Sequence, residues 1–249
     1  MFAIIARSRP EALPGLTIER RVQAETPYGS PSSPLLYGSW GGAPVVVLPR
    51  HGEAHAVPPH RINYRANIRA LADAGVEGVV AIATVGGIRD GWGPGTLVVP
   101  DQIIDYTSGR PLTFFDGESG AVRHIDFTWP FSAAPRRRLL DAARTAGVAV
   151  HDGGCYGCTN GPRLETAAEI ARMKRDGCDV VGQTAMPEIA LARELDLPYA
   201  AINIVVNHAA GQGDSAQAIA HDALIEHSRA AMAKVARVLA AFVAEGQTR

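Results

Sequence analysis

The sequence predicts an α/β protein in which a central mixed, largely buried β-sheet is flanked by helices. Short runs of β-branched residues alternate along the chain with segments that have apolar residues at three- and four-residue spacing. This alternation is typical of layered α/β architectures. The chain contains no internal repeat, no low-complexity linker and no shift in composition, so we expect residues 1–249 to form a single domain.

The predicted elements follow from their composition and from the residues that bound them. Short apolar runs bounded by Gly, Pro or Asp predict strands at 2–6, 44–48, 79–85, 96–99, 148–159, 179–181 and 199–206. Helical spacing predicts helices at 61–74, 135–146, 165–176, 187–195 and 216–244. Gly75, Gly147 and Gly177 stand where three of these helices should end. The stretch 107–129 is rich in Gly and Pro and is expected to be irregular.

The composition argues against several functional classes. Apolar residues make up 47% of the 249 residues and charged residues 20%, which is typical of an ordinary globular protein. The formal net charge of -1 gives no basic field for nucleic acid or an anionic membrane. No spanning helix and no signal peptide are expected, since Arg7 interrupts the apolar N-terminus. Three cysteines cannot form a closed disulfide framework, which favours a cytoplasmic location.

A cationic tripeptide follows the predicted strand 44–48. Arg50 and His51 precede Gly52, and ligands of α/β sheets usually bind at strand ends. An arginine beside a histidine suits phosphate or carboxylate, although a solvated loop without a ligand explains the same residues. His51 and His55 also have the spacing of some metal ligands, but Gly52 disfavours the helix that such a site needs. We therefore expect no metal here.

Two further motifs are ambiguous taken singly. Gly86 and Gly87 end the predicted strand 79–85, where they could offer backbone N–H groups to an anion or only turn the chain. Cys155 and Cys158 form a Cys-x-x-Cys pair inside a predicted strand. With only one other cysteine in the chain, buried thiols explain the pair better than a zinc site or a redox motif does.

Polar candidates are densest between residues 159 and 207. Glu165 is predicted in the first turn of a helix, where its charge has a favourable effect without any ligand. Residues 182–184 follow a short strand, and Asn207 follows the last predicted strand. An amide at a strand end is either a turn residue or a group that recognises a ligand.

Taken together and in order, these segments resemble the trimeric purine nucleoside phosphorylase and methylthioadenosine phosphorylase family. The motifs that carry the resemblance are 4–8, 26–29, 50–52, 63–67, 85–87, 161–166, 182–188 and the strand that ends at Asn207. They span almost the whole chain, and the middle region is most similar to the methylthioadenosine branch. The resemblance implies a nucleoside phosphorylase-like fold and phosphorolysis, in which phosphate displaces the base of a purine nucleoside and leaves a pentose 1-phosphate.

The resemblance also assigns roles to single positions. The positions that match phosphate-binding ones are Ser8, Arg50, His51, the backbone of Ala83 and Thr84, and Thr184. Those that match nucleoside-binding ones are Leu164, Glu165, Gly182, Gln183, Asn207, His124 and His221. Among all of these, Asn207 and His51 are the expected catalytic residues. Leu164 replaces a Phe of the family, and Gln183 replaces a Met beneath the sugar.

The base-binding positions Glu165, Gly182 and Asn207 resemble those of the 6-oxopurine enzymes. Hypoxanthine presents the acceptors O6 and N7, to which an amide can donate, whereas adenine presents an amino group that an aspartate would accept from. Glu165 can accept the N1–H that hypoxanthine has and adenine lacks. The 6-oxopurine positions, together with the similarity of the middle region of the chain to the methylthioadenosine branch, imply S-methyl-5'-thioinosine as substrate. Inosine or guanosine, and less so methylthioadenosine, are the alternatives.

The resemblance further implies a homotrimer with sites shared between subunits, in which His124 reaches the neighbouring site. His221 stands near the 5' end of the sugar, where either a histidine or small aliphatic side chains are possible. No cofactor is expected beyond phosphate as co-substrate, and neither nucleic acid nor a membrane is an expected partner. The glycine-rich phosphate loop of the family is replaced by residues 6–10. A nucleoside hydrolase, a non-catalytic nucleoside-binding protein and a metal-dependent hydrolase therefore remain as alternatives.

Overall fold

A computed structural model describes residues 1–7, 13–117, 120, 122–219 and 221–245, with the backbone alone for 221–223. Ser8 and the side chain of His221 therefore lie outside the described residues. The strands, in chain order, are β1 (Phe2–Ala6), β2 (Leu16–Val22), β3 (Leu35–Trp40), β4 (Ala43–Pro49), β5 (Val79–Gly87), β6 (Leu97–Val99), β7 (Gln102–Asp105), β8 (His151–Asp152), β9 (Cys155–Cys158), β10 (Val180–Gly182) and β11 (Tyr199–His208). The helices are α1 (Tyr64–Asp73), α2 (Ala133–Thr145), α3 (Ala167–Asp176), α4 (Glu188–Glu194) and α5 (His221–Ala244).

The described strands join in one mixed sheet, which confirms the predicted fold class. Strand β5 is its centre, because it pairs in parallel with β1 and β11 and antiparallel with β10. Strand β1 is also parallel to β4, and β10 is parallel to β9. The carboxyl ends of β4, β5 and β11 therefore lie along one edge of the sheet, where ligands of α/β proteins usually bind.

Residues of β5 alternate between two cores, as the two-residue period of a strand requires. Val79, Ala81, Ala83 and Val85 belong to one apolar cluster, which also contains side chains of α1 and α4. The intervening residues of β5 belong to a second cluster, which contains side chains of α2 and α5. Each fully buried aliphatic side chain stabilises the fold by about 1.5–3 kcal/mol, so the sheet is held rigidly from both faces.

The three helix-ending glycines predicted from the sequence are confirmed. Gly75, Gly147 and Gly177 follow α1, α2 and α3 and have φ values of 69°, 62° and 94°. This left-handed conformation is the one that glycine adopts without steric cost at a helix end. None of the described helices is long and apolar enough to cross a membrane.

Three features of the fold differ from the sequence prediction. The predicted strand 148–159 is two short strands, β8 and β9, because Gly153 and Gly154 have φ values of 88° and 128° and interrupt the extended chain. Strands β2, β3 and β7 were not predicted. Glu165 is not in the first turn of a helix, since α3 begins at Ala167.

Candidate functional site

The centre of the candidate site is a buried ion pair at the carboxyl end of β4. Arg50 is 2% exposed, and its Nε and Nη2 donate to the two carboxylate oxygens of Glu188 at 3.0 and 2.7 Å. The Tyr199 hydroxyl donates to the same carboxylate at 2.6 Å. Burial opposes the charge of Arg50, but the adjacent Glu188 carboxylate holds the pKa of Arg50 above its usual value. The pair is therefore a charged unit inside the protein.

Arg50 also brings the predicted phosphate-binding segments together. Its Nη1 donates to the carbonyl of Ile82 in β5 at 3.0 Å and to the hydroxyl of Thr184 at 3.2 Å. Ala83 and Thr84 follow Ile82 directly. Because an arginine has five N–H donors and four are used internally, one Nη2 hydrogen remains for an anion. The predicted phosphate role of Arg50 thus depends on a single donor.

His51 is held as a neutral imidazole beside this pair. Its Nδ1 lies 2.8 Å from the carbonyl oxygen of Val57, which can only accept, so Nδ1 carries the hydrogen. Burial, reinforced by the charge of Arg50, lowers the pKa of His51 to about 3. Nε2 is then an acceptor at neutral pH. The P–OH group of a monohydrogen phosphate can donate a hydrogen bond to this acceptor, whereas a phosphate oxygen without a hydrogen cannot.

Gly182 is required where β10 approaches a buried tyrosine. A Cβ atom at position 182 would lie 2.0 Å from the hydroxyl oxygen of Tyr156 and 2.6 Å from its Cζ. The same hydroxyl lies 3.5 Å from the backbone nitrogen of Thr184. Only glycine therefore allows this approach of β10, which sets the position of Thr184, a predicted phosphate-binding residue.

Glu165 is free of the capping role that the sequence left open. The N-cap of α3 is Thr166, and the carboxylate that completes the capping box belongs to Glu169. Glu165 instead accepts on Oε1 from the hydroxyl of Thr159 at 2.5 Å and from Nε2 of Gln183 at 3.4 Å. Its Oε2 has no hydrogen bond among the described residues, so one carboxylate oxygen is available to a ligand.

Gln183 has its amide nitrogen engaged by the protein. Besides contacting Glu165, Nε2 donates to the carbonyl of Arg163 at 2.9 Å. Direct binding of sugar hydroxyls, which the sequence suggested for this polar replacement, would have to use Oε1. That oxygen lies against Gly161, where a Cβ atom would be 2.1 Å from it.

A β-bulge positions Asn207 at the end of β11. Val205 pairs with Val85 and Asn207 with Gly86, so Val206 is the extra residue of the bulge. Bulges of this kind redirect the side chains that follow them. Asn207 Nδ2 donates one hydrogen to the carbonyl of His208. Its second amide hydrogen and its Oδ1 have no partner among the described residues.

Two further predicted residues, Leu164 and His124, are exposed to solvent. Leu164 is 46% exposed, and His124 is exposed in the irregular segment before α2. Cavities of about 540 and 500 Å³ occur elsewhere on the chain, and no predicted site residue lines either of them. In a single chain, the candidate site is therefore an open edge of the sheet. Among the described residues, no group of three or more His, Cys, Asp or Glu side chains could hold a metal.

Sequence reasoning did not identify the roles of Glu188, Tyr199, Tyr156 and Thr159. Glu188 was noted only as the start of a helix, and its partner Arg50 is 138 residues away along the chain. No local spacing marks such a pair. The only available signal was that a carboxylate and an arginine both follow predicted strand ends.

The architecture and the site agree with one family. The family model described as "Phosphorylase superfamily" matches residues 2–244. The chain belongs to the phosphorylase superfamily. Members of this superfamily with high similarity include a protein of Pseudomonas syringae pv. tomato named "Probable S-methyl-5'-thioinosine phosphorylase". It is 48% identical over 243 residues, which are 97% of this chain and 99% of that relative.

Two other similar phosphorylases differ in the substrate that they are named for. The "6-oxopurine nucleoside phosphorylase" of Pyrococcus furiosus is 46% identical over 84% of this chain and 79% of its own length. The crystal structure of methylthioadenosine phosphorylase from Schistosoma mansoni in complex with adenine is 31% identical. It superposes with a TM-score of 0.92 over all of this chain and 92% of that one. The family and fold predicted from the sequence are confirmed. The roles of the individual site residues stay predictions.

Proposed function

We propose that this protein is a 6-oxopurine nucleoside phosphorylase that converts S-methyl-5'-thioinosine and phosphate to hypoxanthine and 5-methylthio-ribose 1-phosphate. The observation that carries the proposal is the pairing of an amide at Asn207 with a carboxylate at Glu165 whose Oε2 is free. The one amide hydrogen of Asn207 that has no partner among the described residues can be donated to O6 or N7 of hypoxanthine, and the carboxylate can accept from N1–H. Relatives named for thioinosine and for 6-oxopurine nucleosides support this assignment.

The phosphate end of the site fits the same reaction. The Nη1 contacts of Arg50 bring the Thr184 hydroxyl and the backbone after Ile82 to its guanidinium, which keeps one free Nη2 hydrogen for phosphate. The neutral His51 follows Arg50 directly in the chain. Phosphate held there attacks C1' of the sugar while its P–OH proton is hydrogen-bonded to His51 Nε2. The C1'–N9 bond breaks, and its electron pair passes to the purine ring. Asn207 stabilises the negative charge that develops on the departing base.

The choice between S-methyl-5'-thioinosine and inosine depends on the 5' end of the sugar. The side chains of 221–223 lie outside the described residues, but Leu224 is half-buried and packs against the second core. The methylthio group is supported by the relatives named for S-methyl-5'-thioinosine. Inosine and guanosine are the second candidate substrates, supported by the relatives named for 6-oxopurine nucleosides.

We also propose a homotrimer in which a neighbouring subunit completes the open site. The irregular segment that carries His124 has several apolar side chains in solvent, namely Leu112, Val122 and Trp129 at 49, 75 and 62% exposure. Large apolar side chains that are exposed in one segment are consistent with an interface that covers them. Light scattering coupled to size-exclusion chromatography should give about three times the mass of the 26.3 kDa chain.

A cytoplasmic location and the need for no cofactor besides phosphate are part of the proposal. The first is supported by Cys155, Cys158 and Cys178, which are free thiols. Fractionation of the native cells tests it. The second is tested by activity that depends on added phosphate and is unaffected by a chelator. Base release without phosphate would indicate a hydrolase, and base binding without turnover would indicate a nucleoside-binding protein.

The deciding experiment measures kcat/KM for S-methyl-5'-thioinosine, inosine, methylthioadenosine and adenosine, each with and without phosphate. Asn207→Asp should shift the preference toward the adenine nucleosides, because an ionised carboxylate repels O6 and accepts from the amino group of adenine. Discrimination in sites with buried polar groups reaches about 10⁴-fold, so a shift of at least tenfold is expected. Asn63→Asp, the same change at the N-cap of α1, is the control and should leave the preference unchanged. An unchanged preference in Asn207→Asp would refute this explanation of base recognition.

A further inference from the structure

A buried arginine outside the predicted site connects the two loops that form the base pocket. Arg110 lies in the irregular segment after β7 and is 7% exposed. Its guanidinium donates to the carbonyls of Met186, Gln183, Thr159 and Asn160 and to the hydroxyl of Tyr64. The contacts of Nη2 with Gln183 and Asn160 are 2.9 Å each, and that with Thr159 is 3.3 Å. Within the described chain, no carboxylate pairs with it.

These carbonyls belong to the loops β9–α3 and β10–α4. Thr159 and Asn160 follow β9, whereas Gln183 and Met186 follow β10. Since a guanidinium is planar and rigid, its donors fix the relative position of the two loops at several points at once. A lysine ammonium is compact and cannot span both loops in this way.

The same two loops hold Glu165 through their side chains. The backbone carbonyls of Thr159 and Gln183 accept from Arg110, and their side chains both donate to Oε1 of Glu165. Thr159 and Gln183 therefore each connect the guanidinium of Arg110 to the same carboxylate oxygen of Glu165. The other oxygen, Oε2, has no hydrogen bond among the described residues and is left for a ligand.

We infer that Arg110 is a positioning residue for base recognition. By fixing Thr159 and Gln183 it orients Glu165, so that Oε2 accepts from the N1–H of a 6-oxopurine. Adenine has a lone pair at N1, which this oxygen repels. The inference rests on the proposed function, because it explains how the 6-oxopurine preference is set. It adds Arg110 and Thr159 to the residues that determine specificity, and it assigns Gln183 a role in orienting Glu165.

The test compares Arg110→Lys with wild type in two assays. The first is the dissociation constant of hypoxanthine and of adenine, and the second is kcat/KM for inosine and adenosine in phosphate. Arg110→Lys should lower the hypoxanthine-to-adenine preference about tenfold, the effect of misplacing one charged hydrogen bond. The KM for the nucleoside should rise.

Arg136→Lys is the matched control. Arg136 also donates to two backbone carbonyls, those of Val99 and Pro100, but it lies away from the base pocket. The Arg136→Lys substitution should lower the melting temperature without changing the hypoxanthine-to-adenine preference. If Arg110→Lys weakens hypoxanthine and adenine binding equally, Arg110 has only a general structural role and the inference is wrong.

The side-chain donors give a second, milder test should Arg110→Lys not fold. Thr159→Val and Gln183→Met each remove one donor to Glu165 and keep the approximate shape of the side chain. The double variant should show the same loss of hypoxanthine preference, and an unchanged preference overturns the inference. A wild-type protein without phosphate-dependent turnover would instead overturn the proposed function. In that case the ratio of the dissociation constants for adenine and hypoxanthine would still test the role of Arg110.

Discussion

Replacing Glu188 by Gln should destabilise this phosphorylase strongly, because it leaves Arg50 as an unbalanced charge inside the protein. Both side chains are almost completely buried, at 0 and 2% exposure. The Glu188 carboxylate accepts from Nε and Nη2 of Arg50 and from the Tyr199 hydroxyl. A glutamine can accept through one oxygen only, and its amide group would face a donor of Arg50.

The magnitude follows from the burial of the pair. Removing one partner of a buried ion pair costs about 3–5 kcal/mol. In a protein of this size, a change of 1 kcal/mol shifts the melting temperature by about 2–4 °C, so a loss of roughly 6–12 °C is expected at the lower bound. Phosphate should reduce the loss, since an anion at the site would balance the charge of Arg50 in the native state.

Thermal melting with and without phosphate measures both effects. Asp73→Asn is the control, because it removes the exposed partner of Arg69 in α1, and such surface pairs contribute at most about 1 kcal/mol. A Glu188→Gln protein that melts within about 2 °C of wild type would refute the reasoning. So would a loss that is the same at all phosphate concentrations, because it would mean that the anion does not lie near Arg50.

Two further predictions concern the neighbours of this pair. The pKa of histidine in an unfolded chain is about 6.5, whereas burial and the charge of Arg50 lower the pKa of His51 to about 3. Between these two values the unfolded state binds more protons than the native state. The free energy of unfolding therefore falls as the pH is lowered. Between pH 7 and 5, the free energy of unfolding of wild type, measured in urea, should fall by about 2 kcal/mol more than that of His51→Asn. The asparagine amide of this variant can still donate to the carbonyl of Val57. An equal fall in both proteins would contradict the neutral imidazole. Gly182→Ala should abolish most activity, because its Cβ would overlap the Tyr156 hydroxyl. Adding Tyr156→Leu, which removes both the hydroxyl and Cζ, should restore part of the activity in a steady-state assay, and no recovery would assign the loss to another contact.

The central strands were predictable because their apolar runs are encoded locally. The bounds of β1 agree with the prediction, and β5 and β11 differ from it by only two residues at one end. Strand β2 was missed, since it lies at the sheet edge, with arginines and other exposed side chains along its length. The predicted strand 148–159 failed because its two glycines adopt a conformation that composition alone does not reveal.

The site was predictable as a set of positions but not as a set of contacts. Arg50, Gly182 and Asn207 could be identified from strand ends and from the resemblance to a family. The pairing of Arg50 with Glu188, and the role of Arg110, depend on residues far apart in the chain. No spacing in the sequence predicts which of several arginines is buried or which carbonyls it reaches.

The sequence by itself determined the layered α/β architecture, the helix ends at glycine and the amide at the last strand end, because each depends on a few neighbouring residues. The capping carboxylate is Glu169, in a local Thr-x-x-Glu pattern that the sequence also contains, so Glu165 is left for a ligand. Tertiary structure alone decided that Arg50 pairs with Glu188. It also decided the direction of Asn207, since a bulge exists only relative to the strand beside it. Burial and charge balance are properties of the packed chain, and they determine which polar residues remain free to act.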